Sequence, residues 1–441
     1  MRTRAHRLAL NPRRFGREIS YKRHASLTGD MSVFMLRAAR RSRPNWRVQK
    51  AMSTATTPAP EPDQSVSQAL LDELTRQFAA TAEEYDRLAV FPQANFEALH
   101  RAGLIGLTVA KEYGGRGAGL AEGLRVLGAV AKGEPSTALI LFMTYAYHSA
   151  PKRTQTWPRH VYEKVAREAA TEVSLIGGLR VEPELGTPVR GGLPKTEARR
   201  SPNGWLLSGS KIYSTGSTGL RWFAVWAKTD EPEPRVGNFL VRSDSPGIHI
   251  EPVWDHLGMR ATVSHEVFFR DTPIPEEYAV DVRAPAAWAP KPGETALSLW
   301  NALAISTIYD GVARAARDWL AQYLKERVPT NLGAALSTLP RVQEKFGEIQ
   351  ALLYTNKILI DTAAKRADAG QLVTATEANL IKFTATSNAI SAVEIGLELT
   401  GNPGLSRKNP LERHYRDVLC SRIHSPQNDT ILTGAGRAGF G

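Results

Sequence analysis

The hydrophobic pattern of this chain changes period twice, and that change limits its architecture more than any single motif does. Val66, Leu70, Leu74, Phe78 and Ala82 recur at helical spacing, with Asp, Glu and Arg between them. Helices are expected over 66–88, from Pro92 through Leu99, and over 119–133, 136–149 and 157–170. Past residue 171 the period breaks. Gly177-Gly178, Pro183, Gly186, Pro188, Gly191-Gly192 and Pro194 punctuate short segments, the mark of strands and loops. Asn203-Gly204 signals a hairpin, and Trp205 to Tyr213 reads as strand, turn, strand. Further strands are expected over 222–227, 237–241, 248–252 and 264–269.

The helical period then returns, with Leu303, Ile308, Val312, Ala316, Leu320 and Leu324 on one face. It continues over 341–369, 374–400 and 410–422, with breaks at Gly370 and Gly401 to Gly404. Four long helices with short connections read as an antiparallel bundle. The fold expected is therefore α+β. It has an N-terminal helical domain over 66–171, a compact antiparallel β domain over 172–285 and a C-terminal four-helix bundle over 286–441. Ser53 to Pro62 is small, polar and proline-rich, so residues 1–65 read as a disordered basic extension and linker.

Charge sharpens that division. The chain carries a formal +12, and residues 1–50 hold 12 Arg and two Lys against only Glu18 and Asp30. The remainder is balanced, so a basic surface for nucleic acid is not expected. The Arg-rich, acid-poor segment would also suit an organellar presequence. The single cysteine, Cys420, excludes an intrachain disulfide framework and fits a reducing compartment. No apolar run approaches the roughly 18 residues of a membrane span. A cytoplasmic enzyme without membrane or nucleic-acid partners is the expectation.

The chemistry-bearing stretches are few. There is no His-x-x-x-His, no pair of Glu-x-x-His motifs and no cysteine cluster for a metal, and no Gly-x-Ser-x-Gly elbow. No Gly-x-Gly-x-x-Gly follows an expected strand and opens a helix, and there is no Walker-A pattern, so a Rossmann or P-loop site is not expected. Ser214-Thr-Gly-Ser-Thr-Gly219 offers hydroxyls and backbone N–H groups that could hold a planar heterocycle or a phosphate. Tyr145, Tyr147 and His148 close a buried helix, either as its hydrogen-bonded exit or as the rim of a pocket. Near the C-terminus, Glu412-Arg-His-Tyr-Arg-Asp417 leads to His424, a ring able to change charge near neutral pH, just before the helix-breaking Pro426.

Four segments resemble the acyl-CoA dehydrogenase superfamily. They are Gly103 to Gly115 (with Ala110 where proline is usual), Trp205 to Gly216, Leu257-Gly-Met-Arg-Ala-Thr262 with Ile274-Pro275, and Glu412 to Asp417. The resemblance implies N-terminal helices, a central antiparallel β-barrel, a C-terminal four-helix bundle and a flavin, FAD or FMN, between barrel and bundle. It implies a homotetramer or homodimer. Thr215 and Gly216 would hold the flavin ring, and Tyr213 would pack on its face. Glu182-Pro183 with Gly186-Thr187 resembles a flavin loop, with Val181 replacing a threonine.

The family's base glutamate commonly follows the late arginine-aspartate pair, and Ser425 occupies that position. An alcohol cannot serve as the α-proton base that a carboxylate would. Glu377, Glu394 and Glu398 are the alternative glutamates. Ile423-His-Ser-Pro426 instead resembles the family's flavin-dependent monooxygenase branch, the dibenzothiophene monooxygenase and sulfur-acquisition type. That branch uses reduced flavin from a separate flavin reductase. It implies His424, with His148 and Thr215, as catalytic residues acting on a small organic substrate, organosulfur compounds among the classes. The alternatives are an FAD-dependent acyl-CoA dehydrogenase oxidising an acyl thioester at the α and β carbons, and a non-catalytic relative.

Overall fold

The computed structural model describes residues 65–149, 156–185, 192–288 and 296–440. The expected extension and linker over 1–65, but for Ser65, lies outside the described residues, as do Gly186 and Thr187.

Helices come first: α1 (Gln68–Leu88), α2 (Gln93–Arg101), α3 (Leu120–Gly133), α4 (Pro135–Ser149) and α5 (Arg159–Thr171). Local chemistry starts two of them. The Ser67 hydroxyl accepts the Leu70 N–H at 3.3 Å, capping α1. Glu134 accepts from the backbone N–H groups of Ser136 and Thr137 at 3.0 and 2.6 Å, placing a carboxylate at the positive end of α4. α4 is buried almost all round and touches α3, the sheet and the first long C-terminal helix.

Eight strands follow: β1 (Ile176–Leu179), β2 (Glu197–Ser201), β3 (Gly204–Lys211), β4 (Trp222–Thr229), β5 (Val236–Arg242), β6 (Ile248–Glu251), β7 (Glu266–Pro275) and β8 (Ala279–Arg283). Their order is β6-β7-β3-β2-β4-β5-β8, with β1 added to β4. This corrects the expected barrel. The sheet is open, because closure needs its end strands to hydrogen-bond and β6 and β8 each pair on one side only. β6 has four residues and partly or fully exposed side chains, β8 has five, and such short strands blunt the open edges. Nor is the sheet purely antiparallel: β1 and β2 both run parallel to β4. A second correction concerns residues 205–213. The expected internal turn is a bulge within β3, where Gly209 takes φ +142° and the register against β7 shifts.

The chain ends in helices α6 (Ala296–Glu326), α7 (Pro340–Asp368), α8 (Ala375–Thr400), α9 (Leu411–Leu419) and α10 (Asn428–Phe440), with a one-turn helix at Asn402–Leu405. Thr374 caps α8 by accepting the Glu377 N–H at 3.1 Å. α6 packs on α8 and α3, so it joins the two helical regions, and one continuous core runs through helices and sheet. No helix among the described residues is long and apolar enough to cross a membrane.

Candidate functional site

Two clusters hold most of the candidate residues. The first is the loop after β3. Tyr213 is bent into the left-handed region at φ +54° and leaves 54% of its surface exposed. Its ring stands edge-on to Trp254 and His256, which stack on each other with centroids 3.7 Å apart. A non-glycine residue in that conformation is strained, and surrounding bonds hold it there. The Ser214 N–H donates to His265 O at 3.2 Å, the Gly216 N–H to Thr262 O at 2.7 Å, and the Ser217 hydroxyl to Val263 O at 2.8 Å. Ser264 Oγ donates to Thr215 Oγ1 at 3.2 Å, which leaves the Thr215 proton for another acceptor.

The segment that receives these bonds is itself tied to α9. Met259 and Val263 take φ +53° and +41°. Gly258 lies against the α9 backbone, where a Cβ would come within 2.4 Å of Arg416 O. The Met259 N–H donates to Asp417 Oδ1 at 2.6 Å. Arg416 pairs with Asp86 of α1 and Glu412 of its own helix, both at 2.7 Å. Burial pushes the Asp417 carboxyl up to about 7, which the Met259 N–H only partly offsets.

The second cluster is the turn after α9. His424 Nε2 and Tyr309 Oη of α6 are 2.6 Å apart. Lys382 of α8 donates to the carbonyls of His424 and Pro426, both at 2.7 Å, and Asn301 of α6 donates to Ser425 O at 2.7 Å. Three consecutive carbonyls are thus fixed from two helices. Tyr309 and Lys382 are both 0% exposed. Burial holds the Lys382 ammonium down to about 8, and burial together with Lys382 holds the half-buried His424 ring down to about 4. Burial raises the Tyr309 phenol well above its ordinary range.

None of the alternative glutamates reaches this turn. Glu377 pairs with Arg366, Glu398 pairs with Arg341 at 2.7 Å, and Glu394 is exposed on α8.

The other candidates sit elsewhere. His148 is buried at the end of α4, with its ring 6.0 Å from that of Tyr162, whose hydroxyl donates to His148 O at 3.2 Å. Glu182 is spent inside the sheet. It accepts from Lys211 Nζ at 2.6 Å, from Thr196 Oγ1 at 2.7 Å, and from the N–H groups of Lys195 and Thr196 at 2.7 and 3.0 Å. Burial works against its charge, but Lys211 and Thr196 outweigh burial and hold its carboxyl below the ordinary value. Tyr309, Lys382 and Asn301 were not singled out by sequence. Lys382 alone gave a signal: a lysine within the buried α8 set of Ala378, Ile381, Ala385 and Ala389. Among the described residues no cluster of three or more His, Cys, Asp or Glu could hold a metal ion. Surface concavities of about 550 and 450 Å³ lie along α6 to α8, lined by neither cluster.

Helical regions precede and follow an open sheet, and residues 258–263 tie the strained aromatic loop to α9, the helix that leads to the clamped histidine. Three family models match: acyl-CoA dehydrogenase N-terminal, middle and C-terminal domains, over residues 61–151, 181–272 and 299–430. YdbM of Bacillus subtilis (strain 168), an acyl-CoA dehydrogenase by name, is 31% identical over 358 residues, covering 81% of this chain and 92% of the relative. KijD3, solved with FMN and dTDP-3-amino-2,3,6-trideoxy-4-keto-3-methyl-D-glucose, is 27% identical with a TM-score of 0.72, covering 85% of this chain and 94% of that one. FMN-bound TdsC from Paenibacillus sp. A11-2, 22% identical with a TM-score of 0.73, covers 84% and 96% and speaks for the fold alone. This chain belongs to the acyl-CoA dehydrogenase family. It is a flavin-dependent oxidoreductase of that superfamily.

Proposed function

We propose that this enzyme is a two-component monooxygenase that uses reduced flavin and O₂ on a small organic substrate, organosulfur compounds being the first class to screen. The observation that carries this reading is the His424 turn: an imidazole bonded to Tyr309 and clamped by Lys382 and Asn301, with no carboxylate bonded to it among the described residues. A dehydrogenase needs a base for the α-proton, whereas oxygen chemistry needs a hydrogen-bonding group in a partly dry site.

The residues present fit a flavin. Tyr213 offers an exposed aromatic face held by a strained backbone, and Thr215 retains a hydroxyl proton. A bound flavin supplies two-electron redox chemistry. Tyr213 would pack on its ring, Thr215 and Gly216 would orient it, and Glu182 would act only by stabilising the strand beneath. Either FMN or FAD suits these contacts, and FMN is the flavin in the KijD3 complex. His424 would offer a hydrogen bond to the reacting oxygen. Lys382 and Asn301 would keep the His424 turn from swinging. A separate flavin reductase would be a partner. Exposed Tyr354 and Ile358 on α7 would suit assembly into a homodimer or homotetramer.

A second reading, an FAD-dependent acyl-CoA dehydrogenase oxidising an acyl thioester, is favoured by the name of YdbM and by the family description. The two part in one assay. With NADH, FMN, a flavin reductase, air and thioanisole as an organosulfur probe, the monooxygenase forms sulfoxide only when the reductase is present. His424→Ala should abolish sulfoxide yet still bind FMN. Sulfoxide formation unchanged in His424→Ala would overturn the role given to that residue.

A further inference from the structure

We infer that Tyr309 is a positioning residue that locks His424 in the Nδ1–H tautomer, so that His424 faces the site as a hydrogen-bond donor and not as a base. This rests on the reading that the His424 turn belongs to the active site.

The argument is one of proton accounting. Tyr309 is fully buried, and among the described residues its hydroxyl has one partner, His424 Nε2, at 2.6 Å. A phenol carries one proton and needs an acceptor for it. If Nε2 bore the ring proton and donated to Tyr309 Oη, the phenolic proton would be stranded in the interior without an acceptor, which buried donors avoid. The phenol therefore donates, Nε2 accepts through its lone pair, and the ring proton resides on Nδ1. That nitrogen has no protein partner among the described residues and belongs to a half-buried ring, so it is the atom left to meet a ligand.

The surroundings keep the ring neutral and still. Lys382 from α8 places its ammonium on the carbonyls of His424 and Pro426, so a second positive charge on the imidazole would meet repulsion as well as burial. Asp417 of α9 and Cys420 of the 3₁₀ turn after it are the titratable groups whose charge acts on Tyr309, and both oppose loss of the phenolic proton. Asn301 holds Ser425 O, so the turn cannot rotate the ring away without breaking three bonds. With its lone pair committed to Tyr309, His424 has nothing with which to abstract a substrate proton.

Nitrogen NMR of ¹⁵N-histidine-labelled full-length protein reads the tautomer directly, with His424 assigned by its disappearance in His424→Gln. A protonated Nδ1 and an unprotonated Nε2 are expected in the native protein, and Tyr309→Phe should shift the ring toward a tautomer mixture. A native ring protonated on Nε2, or a Tyr309→Phe spectrum unchanged at His424, would overturn the proposal; the first requires no variant to fold. Reoxidation of bound reduced FMN in air separates the proposal from the reading beneath it. Both variants should alter that rate by about tenfold or more. An unchanged rate beside the expected tautomer would remove His424 from the site while leaving the lock in place.

Discussion

Asp417 is a buried carboxyl whose one hydrogen bond among the described residues comes from the Met259 N–H, and burial lifts it to about 7. A raised carboxyl favours the folded state only where both states hold the proton. That contribution is complete below the ordinary value of 3.8 and is lost as pH rises toward about 7. Asp417→Asn keeps an acceptor for Met259 and removes the titration. Its melting temperature should match the native protein near pH 4, exceed it increasingly up to neutrality, and level off above. The difference corresponds to at most about 4 kcal/mol; a gap that does not grow with pH would contradict the cause assigned. His424 and His414 act with the opposite sign. Both are held down by burial, to about 4 and about 3, so their contribution is complete above 6.5 and is lost as pH falls. At this scale the sequence showed His424, since an imidazole before a proline is conspicuous. It hid Tyr309 and Asn301, because a tyrosine among Ile305, Ile308 and Val312 looks like packing until its hydroxyl is seen to meet a ring nitrogen.

Among the elements, α8 and the 258–263 loop do most to shape the candidate site. Lys382→Met keeps the buried stem but removes two charge-assisted bonds, each worth about 1.5–3 kcal/mol. The turn should then open locally, and amide exchange over residues 423–427 should quicken while the α8 core stays protected. Equal exchange in both proteins would show that the clamp does not hold the turn. Gly258→Ala would drive a Cβ to within 2.4 Å of Arg416 O, undocking the loop from α9 at a cost of about 1–3 kcal/mol, read as a lowered melting temperature. The long helices were legible because their apolar faces repeat over many turns. β1 and β8 were not. Gly177-Gly178 carries no side chains to show a period, and β8 is five residues beside a 3₁₀ turn. The open sheet was illegible for a related reason: closure depends on whether β6 and β8 meet, and nothing in either strand's own pattern encodes that.

Over the whole molecule, helical regions that precede and follow the sheet along the chain bring together residues far apart in sequence. Arg416 reaches Asp86, Met259 reaches Asp417, and Tyr309 reaches His424. Family membership follows from this architecture and from matches across all three family domains. The chemistry within the family turns on local substitutions, since the shared scaffold carries a dehydrogenase name in one relative and holds FMN with an amino-sugar nucleotide in another. The central claim is that no carboxylate base serves the His424 site. It is tested most directly by loading the protein with oxidised FAD and titrating it anaerobically with acyl-CoA thioesters from short to long chain. The visible flavin band should persist throughout; bleaching of that band by any of these thioesters would contradict the account.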